Sequence, residues 1–165
     1  LNNLKQNFPI FHLDVSELEQ IHSFIQNTEI PFKQKYLELA FDNFNMSYEN
    51  NSLGLSYLSI MTGLEALFNP GENQELTFRL CRNCAILLGD GNSNKATEIF
   101  IKMKQFYKIR SLLVHGNNVT ITQNDILESR QFLGESIKKL IKINKSKDNL
   151  VKTLDQSGFE SNIFQ

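Results

Sequence analysis

Apolar side chains recur along most of this chain every three or four residues, which is the spacing of amphipathic helices. The stretch 52–68 is the most apolar of these segments and is predicted to be the central helix. No alternating pattern is long enough to build a sheet, so we expect an all-α bundle of five to six main helices. The predicted helices span roughly 14–27, 31–44, 52–68, 74–88, 94–115 and 123–143.

Turn-forming residues mark the ends of these helices. An asparagine-rich stretch at 45–51 is expected to break the second helix, and Asn69-Pro70-Gly71 the third. Gly116 is a natural terminator of the fifth helix, because glycine readily takes the left-handed conformation that follows many helices. Side chains suited to cap helix starts are Asp14 or Ser16 for the first helix and Ser93 or Asn94 for the fifth.

The chain has 165 residues, which is the size of one domain. Residues 1–13 are predicted to be an irregular lead-in or linker, and residues 14–145 a helical bundle. Residues 146–165 are predicted to be a polar tail that forms a short helix around Leu150 to Leu154. The chain begins with Leu1 rather than Met, so we expect it to be one domain of a longer parent protein whose other domains are its partners.

Charge is unevenly distributed although the net charge is only −1, and the low net charge makes bulk attraction to nucleic acid unexpected. Residues 14–42 carry six acids and two lysines, whereas residues 95–110 carry five bases and one acid. A second basic run lies at 138–147. Such runs are either solvated helix faces or the footprint of a polyanion, and the sequence leaves both interpretations open.

The two cysteines, Cys81 and Cys84, are interpreted as small core residues on one helical face. No second Cys or His pair follows them at ligand spacing, so no metal site is predicted. The lack of a disulfide framework fits a reducing compartment, and no apolar run reaches about eighteen residues. We therefore expect a cytoplasmic protein with no membrane partner.

Arg110 occupies an unusual position, because it falls within the apolar stripe of the fifth helix. It lies about 20° from Met103 and about 40° from Phe106 around the helix axis, and so points toward the core or a crevice. Five residues later, His115 precedes Gly116 at the last turn, where the negative end of the helix dipole favours the protonated imidazole. The pair suits chemistry, but a structural ion pair and a helix-capping histidine fit the same pattern.

Glu65 lies at the edge of the apolar stripe of the central helix. A half-buried acid is costly unless it is paired, so we expect a basic partner from a neighbouring helix, with Arg79, Arg82 and Arg110 as candidates. A catalytic carboxylate is the alternative. Tyr107, one turn before Arg110, is interpreted either as a core residue or as an accessory that stacks on a base or hydrogen-bonds within the site.

Three motifs occur in a fixed order: LEALF at 64–68, LCRNCAILL at 80–88 and FYKIRSLLVHG at 106–116. Together they resemble a HEPN domain (higher eukaryotes and prokaryotes nucleotide-binding), and more narrowly its Apea-like group. The resemblance covers about 52–143. It implies a helical bundle that forms a homodimer, with Arg110 and His115 at a shared cleft.

The active members of this family cleave RNA without a metal, so the resemblance implies a metal-independent RNA endonuclease that needs no cofactor. In this role His115 supplies the acid or base and Arg110 stabilises charge on the phosphate. One histidine cannot be both base and leaving-group acid without changing its protonation state, and a symmetric dimer would bring a second His115 to the cleft.

Ser111 departs from many active HEPN ribonucleases, which have Asn, Asp or His directly after the arginine. We assign it as an accessory residue with Tyr107 and Glu65, and we assign structural roles to Arg82 and Gly116. The expected context is a larger prokaryotic protein of antiviral defence or stress. The alternative is a non-catalytic HEPN module that dimerises or binds a nucleotide or partner.

Overall fold

The computed structural model describes residues 14–27, 32–69, 71 and 75–163. Every regular element in these ranges is an α-helix, which confirms the predicted all-α fold. The chain divides into two compact units, 1–31 and 32–165, and the first contains α1 (Val15–Asn27). The second contains α2 (Lys35–Glu49), α3 (Leu53–Phe68), α4 (Leu76–Gly89), α5 (Ser93–Val114), α6 (Gln123–Ile143) and α7 (Lys147–Gln156).

The first helix begins at a reciprocal cap. The backbone N–H of Glu17 donates to Asp14 Oδ1 over 2.8 Å, and Glu17 Oε2 accepts from the backbone N–H of Asp14 over 2.9 Å. Asp14 is therefore the cap, and Ser16 lies inside the helix. The predicted lead-in at 1–13, the helix start at Pro31 and the start at Gln74 lie outside the described residues. The stop predicted at 69–71 is confirmed, because α3 ends at Phe68 with Asn69 as its C-terminal cap.

The second helix ends within the predicted stretch 45–51, but it continues about one turn past the expected end at Phe44, to Glu49. Its polar residues bond backward along the helix: Asn43 donates to the carbonyl of Leu39 over 2.8 Å, and the Ser47 hydroxyl donates to that of Phe44 over 2.6 Å. These side chains thus make local bonds compatible with helix. Asn50 ends α2 in an extended conformation.

The cap predicted for α5 is also wrong. Asn92, rather than Ser93 or Asn94, holds the extended conformation of a cap, and its side chain accepts from the backbone N–H of Lys95 over 3.0 Å. Two left-handed residues, Asp90 and Gly91, turn the chain just before it. This tight turn brings the helix start forward, so that Ser93 already lies in the first turn.

The helix predicted to be central, α3, forms the middle of the core. It packs against α2, α4, α5 and α6, and it starts where the pattern predicted, with the Ser52 side chain as its cap. Gly63 permits this close packing, because a Cβ there would lie 2.7 Å from Leu133 Cδ2 and 3.3 Å from the carbonyl oxygen of Ala40. The fully buried large side chains of α3 are Tyr57, Ile60, Met61, Leu64, Leu67 and Phe68. Burial of each such side chain contributes about 1.5–3 kcal/mol.

Four helices, α2, α3, α4 and α7, carry no basic residue in the last turn that the structure describes. Cationic side chains from elsewhere in the sequence bind their C-terminal carbonyls instead. Arg130 of α6 donates to the carbonyl of Ser47 in α2 over 2.6 Å, and its guanidinium stacks 3.7 Å from the centre of the Tyr48 ring. Lys139 donates to the carbonyl of Leu87 in α4 over 3.2 Å. A cation at this end complements the helix dipole.

The tail after α6 joins the bundle through the same kind of contact. Lys147 reaches the end of α3 and donates to the carbonyls of Ala66 and Leu67 over 2.7 and 2.5 Å. Arg82 of α4 in turn donates to the carbonyl of Leu154 over 2.9 Å and to that of Ser157. The short helix predicted around Leu150 to Leu154 is present as α7, and both leucines are fully buried.

Both cysteines are fully buried free thiols, as predicted for core residues. Burial raises the pKa of Cys81 to about 11, and it also raises the pKa of Cys84. Across the described ranges, no helix has the combined length and apolar character needed to cross a membrane.

Candidate functional site

The motif helix α5 ends where the sequence predicted, at Gly116. The backbone N–H of Asn117 donates to the carbonyl of Leu112 over 2.9 Å, and that of Gly116 donates to Leu113 over 3.1 Å. With Gly116 at a φ of 70°, these bonds form a Schellman motif. His115 is the C-terminal cap residue of the helix, and it is exposed.

Arg110 is held by Glu65 of α3. Its Nε lies 3.2 Å from Glu65 Oε1, and its Nη2 donates to Glu65 Oε2 over 3.3 Å. The side chains are 30% and 20% exposed, so the pair lies in a crevice between α3 and α5. Of the three arginines considered as partners for Glu65, the structure selects Arg110, whereas Arg79 pairs with Asp155 over 2.6 Å.

This ion pair leaves Glu65 imperfectly compensated. Its Oε1 is buried and forms no hydrogen bond within the described part of the chain, although Arg110 Nε is close to it. Burial raises the pKa of the Glu65 carboxyl above its ordinary value, and the charge of Arg110 opposes this rise only in part. The arginine thus anchors the carboxylate without removing the cost of its burial.

The accessory residues predicted around Arg110 are only partly accessible. Tyr107 is half-buried and packs against the core, and the Arg110 guanidinium lies 5.6 Å from the centre of its ring. Ser111 is also half-buried, and its carbonyl accepts the backbone N–H of His115 over 3.1 Å. Tyr107 therefore packs beside the guanidinium, and Ser111 helps to close the helix end.

Arg110 and His115 do not lie on the same side of α5. Five residues correspond to about 140° around a helix axis and about 7.5 Å along it. Arg110 lies on the side that faces α3, whereas His115 lies on the exposed side. Within one chain, the two side chains therefore diverge. A cleft that contains both an arginine and a histidine of this motif needs one of them from another molecule.

The basic residues of α5 have very different surroundings. Lys102 pairs with Glu128 of α6 over 2.5 Å, and Arg110 pairs with Glu65. Lys104 and Lys108 are exposed. The structure thus divides the basic run of α5 into neutralised residues and solvent-exposed ones.

The second basic run, at 138–147, serves mainly to hold the fold together. Lys139 lies 3.3 Å from Asp90, Lys145 donates to the Thr153 hydroxyl over 3.1 Å, and Lys147 binds the end of α3. Sequence reasoning missed these roles, because each partner lies on a different helix or a distant turn. Lys138 and Lys142 are exposed, and Lys138 pairs with Glu135 over 3.2 Å.

The described residues contain no cluster of three or more His, Cys, Asp or Glu side chains that could hold a metal ion. Comparisons with protein-family models, curated proteins and solved structures found no match. The function is therefore inferred from the residues of this chain.

Proposed function

We propose that this chain is a metal-independent RNA endonuclease domain of the HEPN type, and that it acts within a larger prokaryotic defence or stress protein. The observation that carries the proposal is the position of His115. Its imidazole is exposed at the end of α5, on the side that presents Lys104 and Lys108, and it follows a half-exposed arginine by five residues. An accessible imidazole beside phosphate-binding cations suits cleavage of a phosphodiester.

RNA supplies its own nucleophile for this reaction. His115 accepts the proton of the ribose 2′-hydroxyl, the 2′-oxygen forms a bond to phosphorus, and the bond from phosphorus to the 5′-oxygen breaks. A protonated imidazole donates its proton to the departing 5′-oxygen. The products are a 2′,3′-cyclic phosphate and a 5′-hydroxyl, and the route uses no metal ion or cofactor.

A homodimer supplies both catalytic groups to one cleft in this proposal. Because Arg110 and His115 diverge within a chain, Arg110 of one copy would act with His115 of the other. The contacts with Glu65 use Nε and Nη2 of Arg110. The Nη1 atom on the far side of the guanidinium therefore remains to donate to a phosphate oxygen.

A second candidate is a non-catalytic HEPN module, and the Glu65–Arg110 pair favours it. The guanidinium already donates to a Glu65 oxygen through Nη2, with Nε 3.2 Å from the other oxygen, and it connects α3 to α5. In this reading, the motif arginine stabilises the bundle, and the exposed surface binds a nucleotide or a protein partner.

The deciding experiment incubates the protein with end-labelled structured and unstructured RNAs in EDTA. The Arg110→Ala/His115→Ala double variant and the His115→Ala single variant are compared with His22→Ala, which removes an exposed histidine of α1. We expect cyclic-phosphate products from wild type and His22→Ala, and a loss of at least roughly 10²-fold in His115→Ala. DNA of the same sequence should not be cut, since it lacks the 2′-hydroxyl.

Because His115 is exposed, its replacement should leave the thermal unfolding midpoint unchanged. RNA that stays intact with a folded wild-type protein would contradict the nuclease and favour the non-catalytic module. Equal cleavage by wild type and His115→Ala would contradict the role of the imidazole.

A further inference from the structure

One side of α5 is exposed to solvent from Ile101 to His115, and its cations form a narrow line. Lys104 and Lys108 lie about 40° apart around the axis and about 6 Å apart along it. His115 lies about 20° from Lys108 and about 10.5 Å further along the helix. The three side chains are exposed, so they present a linear row of polar groups.

No carboxylate of this segment opposes the row, because residues 99–124 contain neither Asp nor Glu. Among the described residues of other helices, Glu65 binds Arg110 and Glu128 binds Lys102, and the charge of Lys102 also acts on Asp125. Lys102 lies about 120° and Arg110 about 160° from Lys108 around the helix. The structure therefore pairs Lys102 and Arg110, on other sides of α5, with carboxylates and leaves Lys104 and Lys108 exposed.

We propose that Lys104 and Lys108 bind successive backbone phosphates of a single-stranded RNA and lead its scissile bond to His115. This inference rests on the proposed function and assigns it a substrate-binding surface. A row of ammonium groups on one helix face matches a linear polyanion, whereas a lipid surface would need a broad apolar face beside the charges. On this side of α5, Ile101 is the exposed large apolar residue.

The test measures binding apart from cleavage. A fluorescent single-stranded DNA oligonucleotide carries the same phosphates but has no 2′-hydroxyl to attack. Its affinity is measured by anisotropy over a range of salt concentrations for wild type and for Lys104→Gln/Lys108→Gln. The matched control is Lys138→Gln/Lys142→Gln, which removes the same charge from exposed positions of α6.

We expect Lys104→Gln/Lys108→Gln to bind the oligonucleotide about tenfold more weakly near physiological salt. Its plot of log affinity against log salt should be shallower by about 1.4, because each of the two lost phosphate contacts contributes about 0.7 to the slope. The control pair should change neither quantity. In cleavage assays, the same variant should raise KM for an RNA oligonucleotide and leave kcat unchanged.

The outcomes separate this inference from the proposed function. Cleavage of RNA with equal binding by both double variants would overturn the lysine row and leave the nuclease intact. Lys104- and Lys108-dependent binding without any cleavage would support the row and contradict the nuclease. If the same variant loses binding to phosphatidylserine vesicles as strongly as it loses binding to the oligonucleotide, the assignment to RNA is overturned.

Discussion

Arg110 and Lys108 lie two residues apart on α5 and have opposite surroundings. The guanidinium binds a buried carboxylate in a crevice, whereas the ammonium extends into solvent. The rigid fork of arginine suits a fixed partner, and the flexible stem of lysine suits a mobile polyanion. At the residue scale, the same positive charge is therefore paired with a carboxylate at one position and exposed to solvent at the other.

Replacing Glu65 by Gln should leave the protein at least as stable as wild type at neutral pH. Burial raises the pKa of Glu65 from about 4.5, so the folded state favours the neutral acid, which Gln resembles. The favourable contribution of the neutral acid is complete below the unfolded pKa and is lost as pH rises through the folded pKa. Urea unfolding from acid to neutral pH should show this pH-dependent contribution in wild type and not in Glu65→Gln.

Arg110→Ala is the matched comparison, because it leaves the Glu65 carboxylate buried without its cation. We expect it to lower the free energy of unfolding at neutral pH by about 1–3 kcal/mol, with a smaller loss under acidic conditions where Glu65 is neutral. A larger loss in Glu65→Gln than in Arg110→Ala at neutral pH would contradict this account.

At the scale of the element, each helix depends on its ends. Gly116 closes α5 in a left-handed conformation, and cations from other helices bind the ends of α2, α3, α4 and α7. The position of His115 depends directly on the closure at Gly116, because the two residues are adjacent. These ends thus connect local conformation to the geometry of the candidate site.

Gly116→Ala should destabilise the protein by about 1 kcal/mol, because alanine is strained at a φ of 70°. No atom lies within 4 Å of the Cβ that it would add, so the cost is conformational and not a steric clash. Gly158→Ala is the control, since its Cβ also meets nothing within 4 Å and its backbone is not left-handed. An equal drop in the thermal unfolding midpoint of both variants would contradict the role of the left-handed turn.

Lys147 should make stability rise as pH increases above neutrality. Burial lowers its pKa from 10.5 to about 8, so between these values the folded state holds fewer protons than the unfolded state. The free energy of unfolding therefore increases with pH through this window. The buried thiols and tyrosines, whose raised pKa values act in the opposite direction, contribute equally to wild type and Lys147→Met and so cancel in the difference.

Chemical unfolding near pH 7 and pH 9 measures this difference. The stability of wild type should increase relative to Lys147→Met as pH rises, whereas Lys142→Met, at an exposed lysine, should follow wild type. A constant difference between wild type and Lys147→Met across this range would show that the buried ammonium does not titrate there.

At the scale of the whole molecule, the bundle separates the two motif residues. The inner side of α5 packs against α3 through Phe106, whose carbonyl accepts the Tyr57 hydroxyl over 2.9 Å, and Arg110 lies on that side. His115 lies on the exposed side. A site that uses both therefore depends on assembly, which is the basis of the dimer in the proposed function.

Mixing two inactive variants tests this arrangement. If Arg110 of one copy acts with His115 of the other, Arg110→Ala mixed in equal amount with His115→Ala gives one intact site in each heterodimer. After subunit exchange, the mixture should recover cleavage that neither variant shows alone, but less than about a quarter of wild-type cleavage. Half of the dimers are heterodimers, and each keeps one Arg110–His115 pair without the second imidazole that protonates the 5′-oxygen. If heterodimers are detected by sedimentation or mass spectrometry but the mixture recovers no activity, the dimer arrangement is contradicted. Both groups then act within one chain, or one of them takes no part in catalysis.

The sequence alone was sufficient for features that depend on neighbours along the chain. The apolar stripe of α3, its start at about Ser52 and the stop of α5 at Gly116 all rest on local spacing and backbone preference, and all are present. Where local signals conflicted, prediction failed. The predicted end of α2 came about one turn early, because Ser47, within the stretch 45–51, bonds back along the helix and allows it to continue to Glu49.

Tertiary structure alone decided how the charged residues are used. The sequence offered three arginines for Glu65 and two interpretations for each basic run, because charge pairing depends on distances between segments far apart in the chain. Packing selected Arg110 for Glu65, placed Lys147 at the end of α3, and left Lys104 and Lys108 in solvent. Helix formation is mainly local, whereas the surroundings of a charge are set by whatever the fold brings beside it.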